Sequence, residues 1–369
     1  MSRVSEYISQ NVASISWQYG LPLTEPNIND ELTYYSAVVY QGDESYYPKT
    51  KPKGQAKLEK MLYPTDWTGV RTKYFFSALV PEEKAAGAEV LAIEEGNLKE
   101  YSVGLLFNTL SPFNLSLYLG PLEYNRIKTL GKNLDQIMNF GWAFIRPISK
   151  GVHWVLLFLY NYIPNYGFVL LIFSVLIKIL VYPLTSKSLN STRKMQAIQP
   201  LLNDLKEKHK NDQRKFAQAQ MALFKEHGVN PLSGCVPVLL QMPLLFALFT
   251  VFRSSIELRG EPFILWIQDL SRPDVVLDLG INLPLYGSGV AILPLLMGIT
   301  MFIQMKSAPT GQGPAQQKFM MYFMNGFFIL IFNQFPSGLV LYYTLFNVLT
   351  IIQQKYLTAV SEQNKVKNK

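Results

Sequence analysis

The chain has 369 residues, 49% of them hydrophobic and 16% charged, too few charges for an ordinary soluble protein, in which about a quarter are charged. Its single cysteine, Cys235, excludes an intrachain disulfide, and His153, His209 and His227 lie too far apart to offer a metal-ligand spacing. The net charge is +8, but its distribution says more than its sum. Apolar residues concentrate after about residue 150, so the chain reads as a soluble front half and a membrane back half.

Residues 1–130 read as strands. ELTYYSAVVYQG (31–42), RTKYFFSALV (71–80), AEVLAIEE (88–95) and FNLSLYLG (113–120) are rich in aromatic and β-branched residues. Turn signals bound them at Gly42-Asp43, Pro81, Gly96-Asn97 and Ser111-Pro112. Strands at this spacing predict an antiparallel sandwich, with the Lys/Pro-rich stretch 46–60 as a loop. Residues 1–150 contain no apolar run long enough for a signal peptide or a span, so export of this half calls for a segment it does not contain. Over 133–150 the period changes. Leu134, Ile137, Met138, Trp142 and Ile145 recur at helical spacing, predicting one amphipathic helix, either at a membrane surface or packed on the β domain. Pro147 is expected to break it.

Tyr166–Leu184 is a 19-residue stretch, almost wholly apolar and long enough to cross a bilayer. Lys178 interrupts it. A lysine in a span is expensive and usually faces protein, water or a substrate path; the alternative is that it snorkels to the nearer interface. Residues 186–229 are polar, with nine basic and four acidic side chains, net +5. They read as two helices joined at His209–Asp212, with Asp212 as an N-cap, Gly228 as a stop and Pro200 as a kink. Further spans are expected at about 233–252, 290–305, 319–335 and 338–354. The intervening 257–289, with five acids and two bases, reads as an acidic loop of net −3. The tail 355–369 carries four lysines and one glutamate, net +3. Since positive loops stay in the cytoplasm, these signs place residues 1–160 outside, with the hairpin and the C-terminus inside. Gln241, Asn325, Asn333, Gln334 and Asn347 fall at membrane depth. Each alone could serve an interhelical hydrogen bond; together with Lys178 they point to a partly hydrated cavity.

Several longer motifs carry a resemblance. Val181-Tyr182-Pro183-Leu184-Thr185, Asn230-Pro231-Leu232-Ser233-Gly234-Cys235-Val236-Pro237, Gln241-Met242-Pro243, Leu265-Trp266-Ile267-Gln268-Asp269-Leu270 and Phe335-Pro336-Ser337-Gly338-Leu339-Val340-Leu341-Tyr342-Tyr343 together resemble the YidC membrane protein insertase family of Gram-negative bacteria. The likeness is strong over about 135–357. Residues 1–130 are similar, more weakly, to the C-terminal part of that family's periplasmic β-sandwich, chiefly through Tyr118-Leu119-Gly120-Pro121.

The resemblance implies an α+β membrane protein: a periplasmic antiparallel β-sandwich, then a five-helix transmembrane core with a cytoplasmic helical hairpin. The divisions expected are 1–130 for the sandwich, 131–162 for an interfacial helix and lead-in, 163–357 for the core and 358–369 for a basic tail. The family begins with a further anchor helix and a longer β domain, so the chain is expected to be a fragment. The implied activity is non-enzymatic: insertion and folding of inner-membrane proteins, alone or with the Sec translocon. The implied partners are nascent membrane proteins, the Sec translocon, the ribosome and the bilayer, with no nucleic-acid specificity and no cofactor. A hydrophilic groove with one cation receives the substrate; that cation falls at Lys178, where the family more often has arginine. Gln241, Asn333 and Gln334 are expected to line the same groove, and Met242, Pro243, Phe335 and Pro336 to mark the apolar faces along which a substrate leaves. The rival readings are a multispan solute transporter, favoured by prolines and polar residues in spans, and an intramembrane protease, for which no Gly-x-Ser-Gly, Gly-x-Gly-Asp or His-Glu-x-x-His occurs.

Overall fold

The structure, a computed structural model, describes residues 12–49, 55–95, 98–108, 112–138, 140–210, 212–229, 236–307 and 315–367. Two units divide it. The described residues up to Met138, with Ser254–Glu257, form one; Phe140–Arg253 and the residues from Leu258 onward form the other.

The first unit holds β1 (Val12–Trp17), α1 (Ile28–Leu32), β2 (Ser36–Gln41), β3 (Glu44–Tyr46), β4 (Lys57–Met61), β5 (Thr65–Arg71), β6 (Phe75–Pro81), β7 (Gly87–Glu95), β8 (Leu98–Asn108), β9 (Leu115–Pro121) and α2 (Tyr124–Thr129). They form two antiparallel sheets, ordered β1-β8-β7-β4 and β3-β2-β5-β6-β9. The β2–β3 turn is Gly42-Asp43, both at positive φ, the geometry that suits a two-residue hairpin. Alternation along the strands does the sorting. Ala37, Val39, Val70 and Leu79 meet Val90, Val103 and Leu105 between the sheets, giving the expected sandwich.

The second face of the five-stranded sheet is also buried. Tyr40 stacks on Trp67 at 5.2 Å, and Trp67 meets Phe76 edge-on. The segment after β9 covers them: the Trp67 indole donates to Lys132 O at 2.9 Å, the Asn133 amide to the Tyr40 hydroxyl at 3.0 Å, and the buried Arg71 guanidinium to Ile137 O. This settles the alternatives for 133–138 in favour of packing on the β domain, and the single helix expected over 133–150 does not form. Leu134–Ile137 is one 3-10 turn, Met138 is extended, and Gly141 has φ +84°. The helix that follows, α3 (Arg146–Tyr160), carries Pro147 in its first turn, where a missing N–H costs nothing because that donor would be orphaned anyway.

In the second unit α4 (Tyr166–Ala197) runs unbroken through Pro183 into the polar region. The Thr185 hydroxyl donates to Val181 O and Tyr182 O, both at 3.1 Å, occupying carbonyls beside the proline. The helical hairpin is α5 (Gln199–Lys208) and α6 (Gln213–Glu226). Pro200 sits in the first turn of α5 rather than kinking a helix. Asp212 caps α6, accepting from Lys215 N at 3.0 Å. Gly228 at φ +59° ends α6: Val229 N donates to Phe224 O and Gly228 N to Lys225 O, the paired bonds of a glycine-terminated helix. Ile198, Leu202, Phe224 and Val229 form the seam. Beyond it lie α7 (Val236–Ser254), β10 (Val275–Leu283), β11 (Gly287–Ala291), α8 (Ile292–Ser307), α9 (Ala315–Phe332) and α10 (Ser337–Lys367). The motif residues 230–235 lie outside the described residues. The expected plain loop at 257–289 is corrected: β10 and β11 form an antiparallel hairpin. By length and composition, Tyr166–Pro183 is the one described stretch long and apolar enough to cross a membrane; Ile292–Met305 and Tyr322–Phe332 are shorter apolar helices. The core of the unit joins Val169, Leu170 and Phe173 of α4, Leu248 and Phe252 of α7, Met297 of α8, Phe332 of α9, and Tyr342 and Phe346 of α10.

Candidate functional site

Lys178 lies on α4, 8% exposed. Its ammonium turns towards α10: Nζ donates to the Thr350 hydroxyl at 2.8 Å and sits 4.6 Å from the centre of the Phe346 ring. Thr350 in turn donates to Phe346 O at 2.7 Å, which leaves its oxygen lone pairs to accept from the lysine. Both partners are neutral. No Asp or Glu occurs in 136–203, 227–256 or 279–361, so α4 has no acid to offer Lys178, and the one acid on α10, Glu362, lies 12 residues past Thr350, roughly 18 Å along the helix. Two turns along the same seam, the Gln353 amide donates to Thr185 at 3.1 Å. The α4–α10 contact is thus a polar ladder inside apolar helices, with one cation in it.

The other expected site residues are distributed differently. Gln241 is half-buried on α7, with Met242 exposed beside it and Pro243 inside the helix. Asn333 is 3% exposed and clamps the β-hairpin: its amide nitrogen donates to Tyr286 O at 2.8 Å and Gly289 O at 2.6 Å, and its oxygen accepts from Ala291 N at 3.0 Å. Gln334 lies against Gly287. Both precede the start of α10, whereas Thr350 is 13 residues into that helix, roughly 20 Å along its axis. The structure therefore does not bring Asn333 and Gln334 to Lys178: the Asn333 amide is used on the β-hairpin, and Gln334 is exposed beside Gly287. Phe335 packs on Phe249 and Phe332, at 5.0 and 4.8 Å between ring centres. Pro336 is buried in the turn into α10. Both sit in packed structure and not on an open face.

Two motifs turn out to brace that end of the unit. Asp269 accepts from Gly260 N, Ser271 N and the Ser271 hydroxyl. The carbonyls of Arg272 and Leu270 accept from Ser337 N and Gly338 N, at 2.7 and 2.9 Å, pairing donors that the first turn of α10 leaves open. An added Cβ at Gly338 would come within 2.8 Å of Phe252 and 3.1 Å of Leu270 O, so only glycine admits the approach. Asp274 Oδ2 accepts from the Trp266 indole and from Leu293 N, each at 2.8 Å, capping α8 from a distant point of the chain. The contacts of 270 and 272 with Ser337 and Gly338 join residues distant in sequence, which local spacing does not reveal; Pro336-Ser337-Gly338 marks the helix start but not its partners.

Burial pushes the Asp274 carboxyl above its ordinary range, against the opposing pull of Trp266 and the α8 backbone. A carboxyl raised in this way binds its proton more tightly folded than unfolded. Its contribution to stability is present below the ordinary carboxylate range and is lost as pH rises through the folded value. The melting temperature should therefore climb on mild acidification more steeply in the parent than in Asp274→Asn. Parallel pH curves for the two would contradict this.

The profile of the 60Kd inner membrane protein family matches residues 158–365. This chain belongs to that family. A second profile, the YidC periplasmic domain, matches 6–155. Among curated relatives, a "Membrane protein insertase YidC" of Chlorobium luteolum is 41% identical over 370 residues, covering 98% of this chain and 63% of the relative. One from Chloroherpeton thalassium is 39% identical, covering 98% and 64%. The chain spans slightly under two thirds of the length of these relatives. A solved structure titled "Active YidC insertase crystal structure with the first transmembrane domain resolved" is 20% identical with a TM-score of 0.48, covering 87% of this chain and 83% of that one.

Proposed function

We propose that this chain inserts and folds membrane proteins in the bacterial inner membrane, without enzymatic chemistry. Membership of the 60Kd inner membrane protein family and relatives named as insertases support the reading. The observation that carries it is the seat of Lys178: a buried cation within an apolar span, held among the described residues by a hydroxyl and a ring. Such a charge finds its opposite in what arrives. In this reading α4, α7, α8, α9 and α10 are the five spans. The β unit is periplasmic, the segment 186–229 of net +5, which holds the end of α4 and the α5–α6 hairpin, and the C-terminus are cytoplasmic, and α3 leads into the core. Lys178 then sits in the inner half of the membrane.

A polar tail entering hydrocarbon faces a large desolvation cost. A wet groove reaching the Lys178 ammonium and taking in Gln241 of α7 lowers that barrier. Attraction between the ammonium and tail carboxylates adds to it, because charges interact far more strongly at low dielectric than in water. The exposed apolar row of α7, Met242 and Phe246, offers the departing hydrophobic segment a path to lipid. The Sec translocon and the ribosome are partners on the same reading. Vesicles containing this chain should protect the translocated tail of a single-spanning substrate from added protease, and empty vesicles should not. Equal protection in both would sink the proposal.

A further inference from the structure

The β10–β11 hairpin is an apolar element with little cover. Every residue of β10 is exposed, Ile281 by 61%, and Leu285 in the turn is 62% exposed; Asp278 is the only charged residue in 275–291. In water a two-stranded hairpin is marginal by itself, and open apolar edges are a liability. Yet this hairpin is fastened in place. The contacts of Asn333 and Gln334 fall at 286, 287, 289 and 291, along the whole of β11, so the hairpin lies along the end of α9 instead of standing away from it.

Its level relative to the helices follows from connectivity. Ala291 runs without a linker into Ile292, the first residue of α8, and Asn333 directly follows α9. The hairpin thus sits where α8 begins and α9 ends. The described parts of those two helices have 16 and 18 residues, roughly 24 and 27 Å at ~1.5 Å per residue, and Lys306 and Lys318 bound their apolar stretches in sequence, leaving each short of the ~30 Å hydrocarbon core. The exposed row on α8, Leu295, Leu296, Ile299 and Ile303, starts in the turn next to the hairpin. Apolar exposure therefore continues from that helix onto the strands.

We infer that the hairpin is immersed at the headgroup–acyl boundary of the outer leaflet, where lipid chains cover its side chains and it supplies hydrophobic length that α8 and α9 lack. The inference rests on the topology proposed above. The boundary, and not the hydrocarbon centre, is the place for it: the free strand edges need hydrogen-bond partners that only headgroups and water supply there.

The test uses the full chain in a Cys235→Ser background, reconstituted in phosphatidylcholine–phosphatidylglycerol vesicles. Single cysteines at Ile281 and Leu285 carry an environment-sensitive fluorophore. Ile179 on α4, 65% exposed, serves as the lipid reference, and Tyr19 in the β unit, 75% exposed, as the water reference. Lipids brominated near the headgroup should quench the hairpin probes severalfold more than lipids brominated at the chain ends, and aqueous iodide should quench them severalfold less than at Tyr19. Iodide quenching equal to that at Tyr19 overturns the inference. So does shielding from both quenchers, which would mean a protein cover such as a second copy of this chain. Labelling of Lys208→Cys by an impermeant reagent reports sidedness separately. If it reacts from the same side as Ile281, the topology fails, and the outer-leaflet assignment fails with it, whatever the depth.

Discussion

Lys178→Arg should retain insertion, whereas Lys178→Ala and Lys178→Glu should impair substrates with acidic translocated tails most. The ammonium is held by Thr350 and Phe346, neither of which neutralises it. Cation–ring contact steadies a charge without cancelling it, so the lysine remains able to attract a carboxylate. A charge-assisted contact contributes about 1.5–3 kcal/mol, so losing it should slow acidic-tail insertion by about tenfold or more. Neutral-tail substrates should suffer less, because on the proposed function the rest of the groove is unchanged. Arginine keeps the charge on a longer, forked head. The assay is protease protection of a matched pair of substrates differing only in tail carboxylates. If Lys178→Ala leaves both members of the pair intact, the lysine is a structural member of the α4–α10 seam and the groove reading fails.

Asn333→Ala should loosen the β-hairpin and lower the stability of the helical unit. One side chain satisfies Tyr286 O, Gly289 O and Ala291 N from a site that is 3% exposed. Removing it orphans three backbone groups, at about 1–3 kcal/mol for each one left buried without a partner. The expected loss is therefore about 3 kcal/mol or more, within reach of the whole stability of an ordinary domain. Asn333→Asp should be no milder, since it keeps the acceptor for Ala291 but turns a carboxylate oxygen towards two carbonyls. Hydrogen exchange over 275–291 should rise severalfold in both variants while exchange in α4 changes little. Unaltered protection of the hairpin in Asn333→Ala would show that its anchoring lies elsewhere.

The two residues mark different limits of sequence reading. Lys178 was legible because it is a local anomaly, one charge in 19 apolar positions, and the absence of Asp and Glu around it could be counted. Its holder, Thr350, lies 172 residues away and has no distinguishing mark in its own segment. Asn333 is recognisable in sequence only as a polar residue among apolar ones, which does not say which backbone it serves. The hairpin it clamps was missed because the charge count of 257–289 hid a strand pattern: Val275-Val276-Leu277 and Gly287–Ala291 flank a Pro284-containing turn, a local signal that was present and outweighed.

The sequence alone determined the β-rich first unit, the apolar helix from Tyr166, the polar helical pair with its Asp212 and Gly228 ends, and the isolation of one cation. Each rests on spacing or composition within a few turns or strands, where periodicity decides which side is buried. Only the tertiary structure decided that 134–138 covers the outer face of a sheet, that Pro183 is carried inside a continuous helix, and that Asn333 and Gln334 serve the hairpin end. These outcomes depend on which distant backbone groups would otherwise be buried without partners, and local periodicity carries no information about that.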